Sequence, residues 1–195
     1  RVRLVTCEQG SGEGTVVGAE GGRVGEPAPI GAPCGTTVAV RDLFFNTPAR
    51  LKYLRTVSTE NRRIVDIVGS LALAHPEIGF ALKVDGRSAL ATPQGGSIEE
   101  AAAAVLGLDV AREMVPLASY SHGVSVEGLV SLPHRAKGKR RDKQCVFVNR
   151  RPVTSTTVWS AIDRAYDRTI PAGVRPPVVL SIEVDPSMID VNVHP

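Results

Sequence analysis

Aromatic side chains are scarce in this chain: one Trp, three Tyr and four Phe make up 4% of 195 residues. Cysteine is scarce too. Cys7, Cys34 and Cys145 lie far apart, and no CxxC pair occurs. That excludes a disulfide framework and a zinc knuckle, and leaves reduced, buried thiols of a cytosolic protein as the plain expectation. No stretch approaches the roughly 18 consecutive apolar residues of a membrane span, so neither a transmembrane helix nor a membrane partner is expected. There is no internal repeat and no low-complexity segment beyond glycine-rich turns. Residues 1–6, Arg-Val-Arg-Leu-Val-Thr, alternate like a strand and do not resemble a signal peptide. The chain does not begin with Met, and it ends on Val193-His194-Pro195 directly after a strand pattern. An excised piece of a longer protein is the expectation from these ends.

What is present is ordinary in bulk and uneven in detail. Hydrophobic content of 43% and charged content of 22% suit a soluble globular domain. The net charge is only +3. It is concentrated in residues 134–143, where Arg135, Lys137, Lys139, Arg140, Arg141 and Lys143 face Asp142 alone. A local excess of this kind is what a phosphate backbone would feel.

Residues 1–41 read as a β-meander, with strands expected at 1–6, 14–19 and 35–41 between Gly- and Pro-rich turns. Three such strands cannot bury a core of their own, so they read as the tail of a larger sheet. Residues 58–74 read as a helix, with Ile64, Ile67, Val68 and Leu71 on its inward face. A strand is expected at 78–84. Asp85-Gly86 signals a type I′ hairpin into a strand at 87–91. Ser97-Ile98-Glu99-Glu100 is a capping box, and the Ala-rich helix it starts should stop at Gly107. Strands follow near 113–120 and 124–130, then the basic loop. Residues 145–148 form a fully apolar strand, the pattern of a strand covered on both faces. A turn at 149–152 leads to a helix over 155–169, with Val158, Trp159, Ile162 and Tyr166 inward. An alternating strand then starts at 178, Asp185-Pro186 breaks it, and residues 189–193 form a short last strand. This order suggests a sheet with helices on one face.

The densest local pattern is residues 35–50, Gly-Thr-Thr-Val-Ala-Val-Arg-Asp-Leu-Phe-Phe-Asn-Thr-Pro-Ala-Arg. Phe44 and Phe45 are adjacent, and neighbouring strand residues face opposite ways. One of the two must therefore pack on another element or line an interface. Thr36 and Thr37 follow a glycine at the start of a strand, where their hydroxyls either hydrogen-bond a phosphate or merely shape a tight turn. Asp190, Asn192 and His194 alternate on one strand face, but this spacing is poor for zinc and no cysteine is near. Hydrogen bonding within a loop is the better reading of that trio.

The run 35–50, with Lys52-Tyr53-Leu54 after it, closely resembles the MutL family of DNA mismatch-repair ATPases. Residues 146–153, Val-Phe-Val-Asn-Arg-Arg-Pro-Val, form a second match. Residues 183–186 and 190–195, Glu-Val-Asp-Pro and Asp-Val-Asn-Val-His-Pro, form a third. All three occur in the family's order, and the likeness extends over nearly the whole chain. The resemblance implies a mixed α/β (α+β) chain. Its first part, 1–49, would be the last strands of a GHKL-type ATPase domain. A connector at 50–57 would lead to a ribosomal-protein-like β-α-β transducer domain over 58–195.

By the same resemblance, Thr36 and Thr37 are the nucleotide-contacting positions. ATP and magnesium would be cofactors of the full-length protein. The general base, the adenine-reading Asp, the lid glycines and the catalytic Lys of the family have no match here. No catalytic residue is therefore expected in this chain, and no ATP hydrolysis by it alone. The implied partners are DNA, a mismatch sensor and other repair proteins, and a second copy of the full-length protein in a homodimer. The implied setting is a bacterial cytoplasm, near the nucleoid.

Expected DNA contacts are Arg135, Lys137, Lys139, Arg140, Arg141 and Lys143, with Gly138 read as the spacer of a flexible arm. Arg150 and Arg151 are expected to extend that surface, with Arg164 and Arg168 beyond them. The chain departs from the family in having Arg150 at a usual glycine, and Thr154 to Thr157 where relatives often carry arginines. Two other readings stand beside this one. One is a nucleic-acid-binding module without ATP coupling. The other is an interaction scaffold with Phe44 and Phe45 in a protein interface.

Overall fold

In the computed structural model of the chain, residues 1–139 and 141–188 are described. They divide into two compact units, Arg1–Glu60 and a second that starts at Asn61, so the division falls within one helix.

The first unit is an antiparallel meander of β1 (Val2–Cys7), β2 (Glu13–Glu20), β3 (Arg23–Val24), β4 (Ala28–Gly31) and β5 (Gly35–Val40). Its order is β3-β2-β1-β5, with β4 also paired to β2. The three expected strands are present, and the two short ones lie in the Gly/Pro-rich stretch. Cys7 and Gly14 are its only buried residues. They belong together: a Cβ on Gly14 would meet the Thr6 carbonyl at 2.7 Å and the Cys7 side chain at 3.1 Å. One sheet face carries Val2, Val38 and Val40 in adjacent register, all exposed. The meander has almost no core of its own, as three strands of this size dictate.

After β5 come α1 (Pro48–Leu51) and the long α2 (Val57–Ala74). The second unit continues with the hairpin β6 (Ala81–Val84) and β7 (Arg87–Ala91). Its turn has Asp85 at φ 50° and Gly86 at φ 78°, the type I′ geometry expected there. Helix α3 (Ile98–Leu106) opens on a complete capping box between Ser97 and Glu100 and ends at Gly107, at φ 95°. Then follow α4 (Leu108–Ala111), β8 (Met114–Ser121), β9 (Val124–Ser131), β10 (Gln144–Val148), β11 (Arg151–Pro152), α5 (Thr156–Ala165) and β12 (Val178–Glu183).

The second sheet has order β11-β10-β12-β9-β8. Among the described residues only β10 and β12 pair in parallel, and α5 lies in the crossover between them. On one face Leu129, Phe147 and Val179 pack with Leu73 and Ala74 of α2 and Ala101 and Ala102 of α3. On the other, Val146, Val178 and Leu180 pack with Ile162 of α5 and with Tyr166 just after it. Helices thus cover both faces, not the single face expected from element order. Leu129, Phe147, Val178 and Val179 are each 1% exposed, and each such burial stabilises by about 1.5–3 kcal/mol.

Helix α2 also turns a different face inward from the one its isoleucines suggest. Ile64, Ile67 and Leu71 are 45%, 62% and 42% exposed, while Gly69, Ala72, Leu73 and Ala74 are buried. The physical reason is close approach: a Cβ on Gly69 would sit 3.1 Å from Val105 of α3, so small residues take the contact side. Helix α5 is shorter than expected, ending at Ala165, with Arg168 at φ 64°. The last strand expected at 189–193, and the trio Asp190, Asn192 and His194, lie outside the described residues. Among the described residues no helix is long and apolar enough to cross a membrane.

Candidate nucleotide strand and nucleic-acid interface

Gly35, at φ 113°, admits the chain to β5, the end strand of the first sheet. Thr36 and Thr37 are both exposed but point to opposite faces. The Thr36 hydroxyl shares a 2.8 Å hydrogen bond with that of Thr6 on β1. Thr37 lies opposite Val5. Beyond β5 the backbone turns through two non-glycine residues in the left-handed region, Asp42 at φ 51° and Phe44 at φ 64°. Arg1 bridges Glu20 at 2.8 Å and Asp42 at 3.0 Å, and lies 5.3 Å over the Phe45 ring. The two phenylalanines therefore divide: Phe44 is half-buried, and Phe45 is 41% exposed under a cation.

The basic segment is tied down at Gly138, Arg141 and Lys143. Arg175 donates its backbone N–H to the Gly138 carbonyl at 2.9 Å, Val178 donates to Lys143, and the Gln144 amide donates to the Pro176 carbonyl. Gly138 has φ 113°, and a Cβ there would meet the Arg175 carbonyl at 3.2 Å. Glycine is thus needed for backbone geometry and close approach, not as a loose spacer.

Arg141 is held from three sides. It donates to Gln144 at 2.6 Å and to Asp163 of α5 at 2.7 Å, and it lies 5.1 Å over the Trp159 ring. Asp163 also faces Arg175 at 3.5 Å. Arg135, Lys137, Lys139, Lys143 and Arg175 surround a concavity of about 510 Å³, with Val110 and Pro177 in its wall and Asp109 and Asp142 beside them. Arg140 lies outside the described residues. Arg175 was not singled out in the sequence, where it stands alone in a Pro/Gly stretch.

Arg150 on the β10–β11 turn and Arg151 at the start of β11 do not line that concavity. Asn149 at φ 47° and Arg150 at φ 65° make a type I′ turn, whose second position favours glycine. Arg150 is ion-paired to Glu77 and hydrogen-bonded to His75. The Glu77 carboxyl lies below its usual range, held there first by its own backbone amide and then by Arg150 and His75. Arg151 is exposed on β11.

Two polar groups here escaped sequence reasoning. The Asn149 side chain bonds both the N–H and the carbonyl of Val184, at 3.0 and 2.9 Å, clamping the chain just after β12. Ser155 caps α5 at the Val158 N–H. On the opposite face of the helix-capped sheet, Cys145 is desolvated, and its thiol is pushed up to about 11. The Tyr166 hydroxyl, also raised by burial, donates to the Ser131 carbonyl at 2.6 Å.

The family model described as "DNA mismatch repair protein, C-terminal domain" matches residues 102–195. The "DNA mismatch repair protein MutL" of Desulforudis audaxviator is 44% identical over all 195 residues, which cover 34% of that relative. The protein of the same name from Desulforamulus reducens is 38% identical over the whole chain, covering 30% of its length. The chain thus spans about a third of the length of the curated relatives it matches.

Among solved structures, "Aquifex aeolicus MutL ATPase domain complexed with ADP" aligns at TM-score 0.73 and 29% identity. It covers 95% of this chain and 68% of that one. The B subunit of DNA gyrase from Myxococcus xanthus shares the fold alone, at TM-score 0.53 and 12% identity, over 100% of this chain and 59% of that one. The mixed α+β fold is therefore of the GHKL ATPase type. The chain belongs to the MutL family of DNA mismatch-repair proteins.

Proposed function

We propose that this chain is part of a MutL-type mismatch-repair ATPase that couples ATP binding and hydrolysis to DNA binding and to recruitment of repair partners. Residues 1–49 end the nucleotide domain, 50–57 connect, and 58–195 form the transducer. ATP with magnesium is the cofactor of the full-length protein, which acts as a homodimer in the bacterial cytoplasm. The mismatch sensor is among its partners.

The observation that carries this reading is the likeness over 95% of the chain to a MutL ATPase domain complexed with ADP. Two features of the chain support it. Thr36 and Thr37 present hydroxyls from an exposed strand behind a left-handed glycine. Four of the six cations of the basic segment, with Arg175, converge on one concavity, where a negatively charged backbone finds a concentrated positive field.

ATP binding by the intact N-terminal half, with and without Thr36→Val, is the test. Loss of one hydrogen bond to a charged phosphate weakens ATP binding about ten- to a hundredfold. Unchanged affinity would remove Thr36 from the site, and no ATP binding by the parent would overturn the proposal.

A further inference from the structure

The convergence of cations noted above has a specific structural cause. A flexible basic arm would need no anchors, yet Gly138, Lys143 and Gln144 are tied to Arg175, Val178 and Pro176 by three backbone or amide hydrogen bonds. Arg141 adds a fourth tie to α5, through Asp163 and the Trp159 face. Both terminal nitrogens of Arg141 are bonded, to Asp163 and Gln144, so its guanidinium is held in one orientation.

Resting on the DNA-binding reading above, we propose that the basic segment is a preformed seat for the DNA phosphodiester backbone. Arg135, Lys137, Lys139, Lys143 and Arg175 make the contacts, and Arg141 and Gly138 are positioning residues that hold the seat in shape. The seat contacts phosphates and reads no bases: four of its five cations lie in loops and Arg135 ends a single 3-10 turn, so no α-helix or strand carries them into a groove. Holding the cations in place before binding spares the ordering of a loop on association, the general source of affinity in rigid binders.

The proposal separates cleanly from a flexible arm through substitutions that keep the charge. Arg141→Lys retains the cation but cannot hold Asp163 and Gln144 together or cover Trp159 as a planar fork does. Gly138→Ala changes no charge, strains a left-handed backbone position and crowds the Arg175 carbonyl at 3.2 Å. The measurement is fluorescence anisotropy of a labelled duplex with the full 195-residue chain over a salt series, with circular dichroism to verify folding.

The expected result is a loss of about tenfold or more for each variant, the cost of ordering released backbone. Arg175→Gln, by contrast, removes a contact and lowers the slope of log affinity against log salt by about 0.9. If the parent binds and both charge-preserving variants bind as it does, the segment is a flexible arm and the proposal is wrong. If the parent itself does not bind duplex, the DNA-binding reading fails along with it. Should one variant fail to fold, the other decides.

Discussion

Gly128→Ala puts the architecture of the second unit to a sharp test. Gly128 lies in β9 opposite Leu180 of β12 and Leu117 of β8, with strands on both sides. Its φ is 144°, and an added Cβ would sit 2.0 Å from the Val179 carbonyl oxygen, 3.0 Å from the Val179 carbonyl carbon and 3.1 Å from the Leu180 Cα. All three are backbone atoms of the central strand, so none can swing aside as a side chain would. Backbone strain of about 1–3 kcal/mol and overpacking of about 1–3 kcal/mol combine to about 2–6 kcal/mol, centred near 4. That is a large share of a typical stability of about 5–15 kcal/mol. Trp159 is the only tryptophan and borders the core that Val178 and Leu180 share with α5, so its fluorescence reports this unit. In urea, with a slope of about 1–3 kcal/mol per molar, the midpoint should fall by about 2 M. A fall below about 0.5 M would show that β9 and β12 are not held this closely, and would refute the packing argument.

Two further substitutions or titrations follow from the same geometry. Arg150→Gly should stabilise by up to about 1 kcal/mol, because relief of a left-handed non-glycine outweighs an exposed ion pair to Glu77 worth about 0–1 kcal/mol. A clear drop in melting temperature would mean that the pair matters more than the turn. For Cys145, burial raises the folded pKa from 9.0 to about 11, so the folded state keeps its proton where the unfolded state has lost it. The associated stability is complete below pH 9 and is lost as pH rises towards 11, by about 2–3 kcal/mol at about 1.4 kcal/mol per unit. Tyr166 is raised by burial too, and adds to the fall in the same direction. Cys145→Ser, which does not titrate there, should flatten the urea-midpoint profile over that window. An unchanged profile would place the loss elsewhere.

Local signals in the chain translated directly where the chemistry is local. The Asp85-Gly86 turn, the Ser97–Glu100 capping box and the stop at Gly107 each depend on residues within a few positions, and all three formed. Choices that depend on a distant partner did not. The isoleucine stripe on α2 is its strongest apolar signal, yet the face that packs is set by how closely α3 can approach, and Gly69 with Ala72 allows the closer contact. Element order could not say on which face α5 lies, because that follows from its crossing between the parallel strands β10 and β12. In the candidate interface the charge density of residues 135–143 was plain. That Arg141 is held by Asp163 and Trp159, that Arg150 turns to Glu77, and that Arg175 joins the cluster all depend on side chains 18 to 73 positions apart. Gly138 shows the limit clearly: glycine in a basic loop suggests flexibility, and here it supplies a fixed φ and a close contact.

The central claim is coupling between nucleotide and DNA. The most direct measurement is steady-state ATP hydrolysis by the intact N-terminal half of the protein, with and without duplex DNA at low salt. The account predicts slow turnover that rises when DNA is added and loses that rise as salt is increased. Absence of turnover, or turnover indifferent to DNA at every salt concentration, would contradict it.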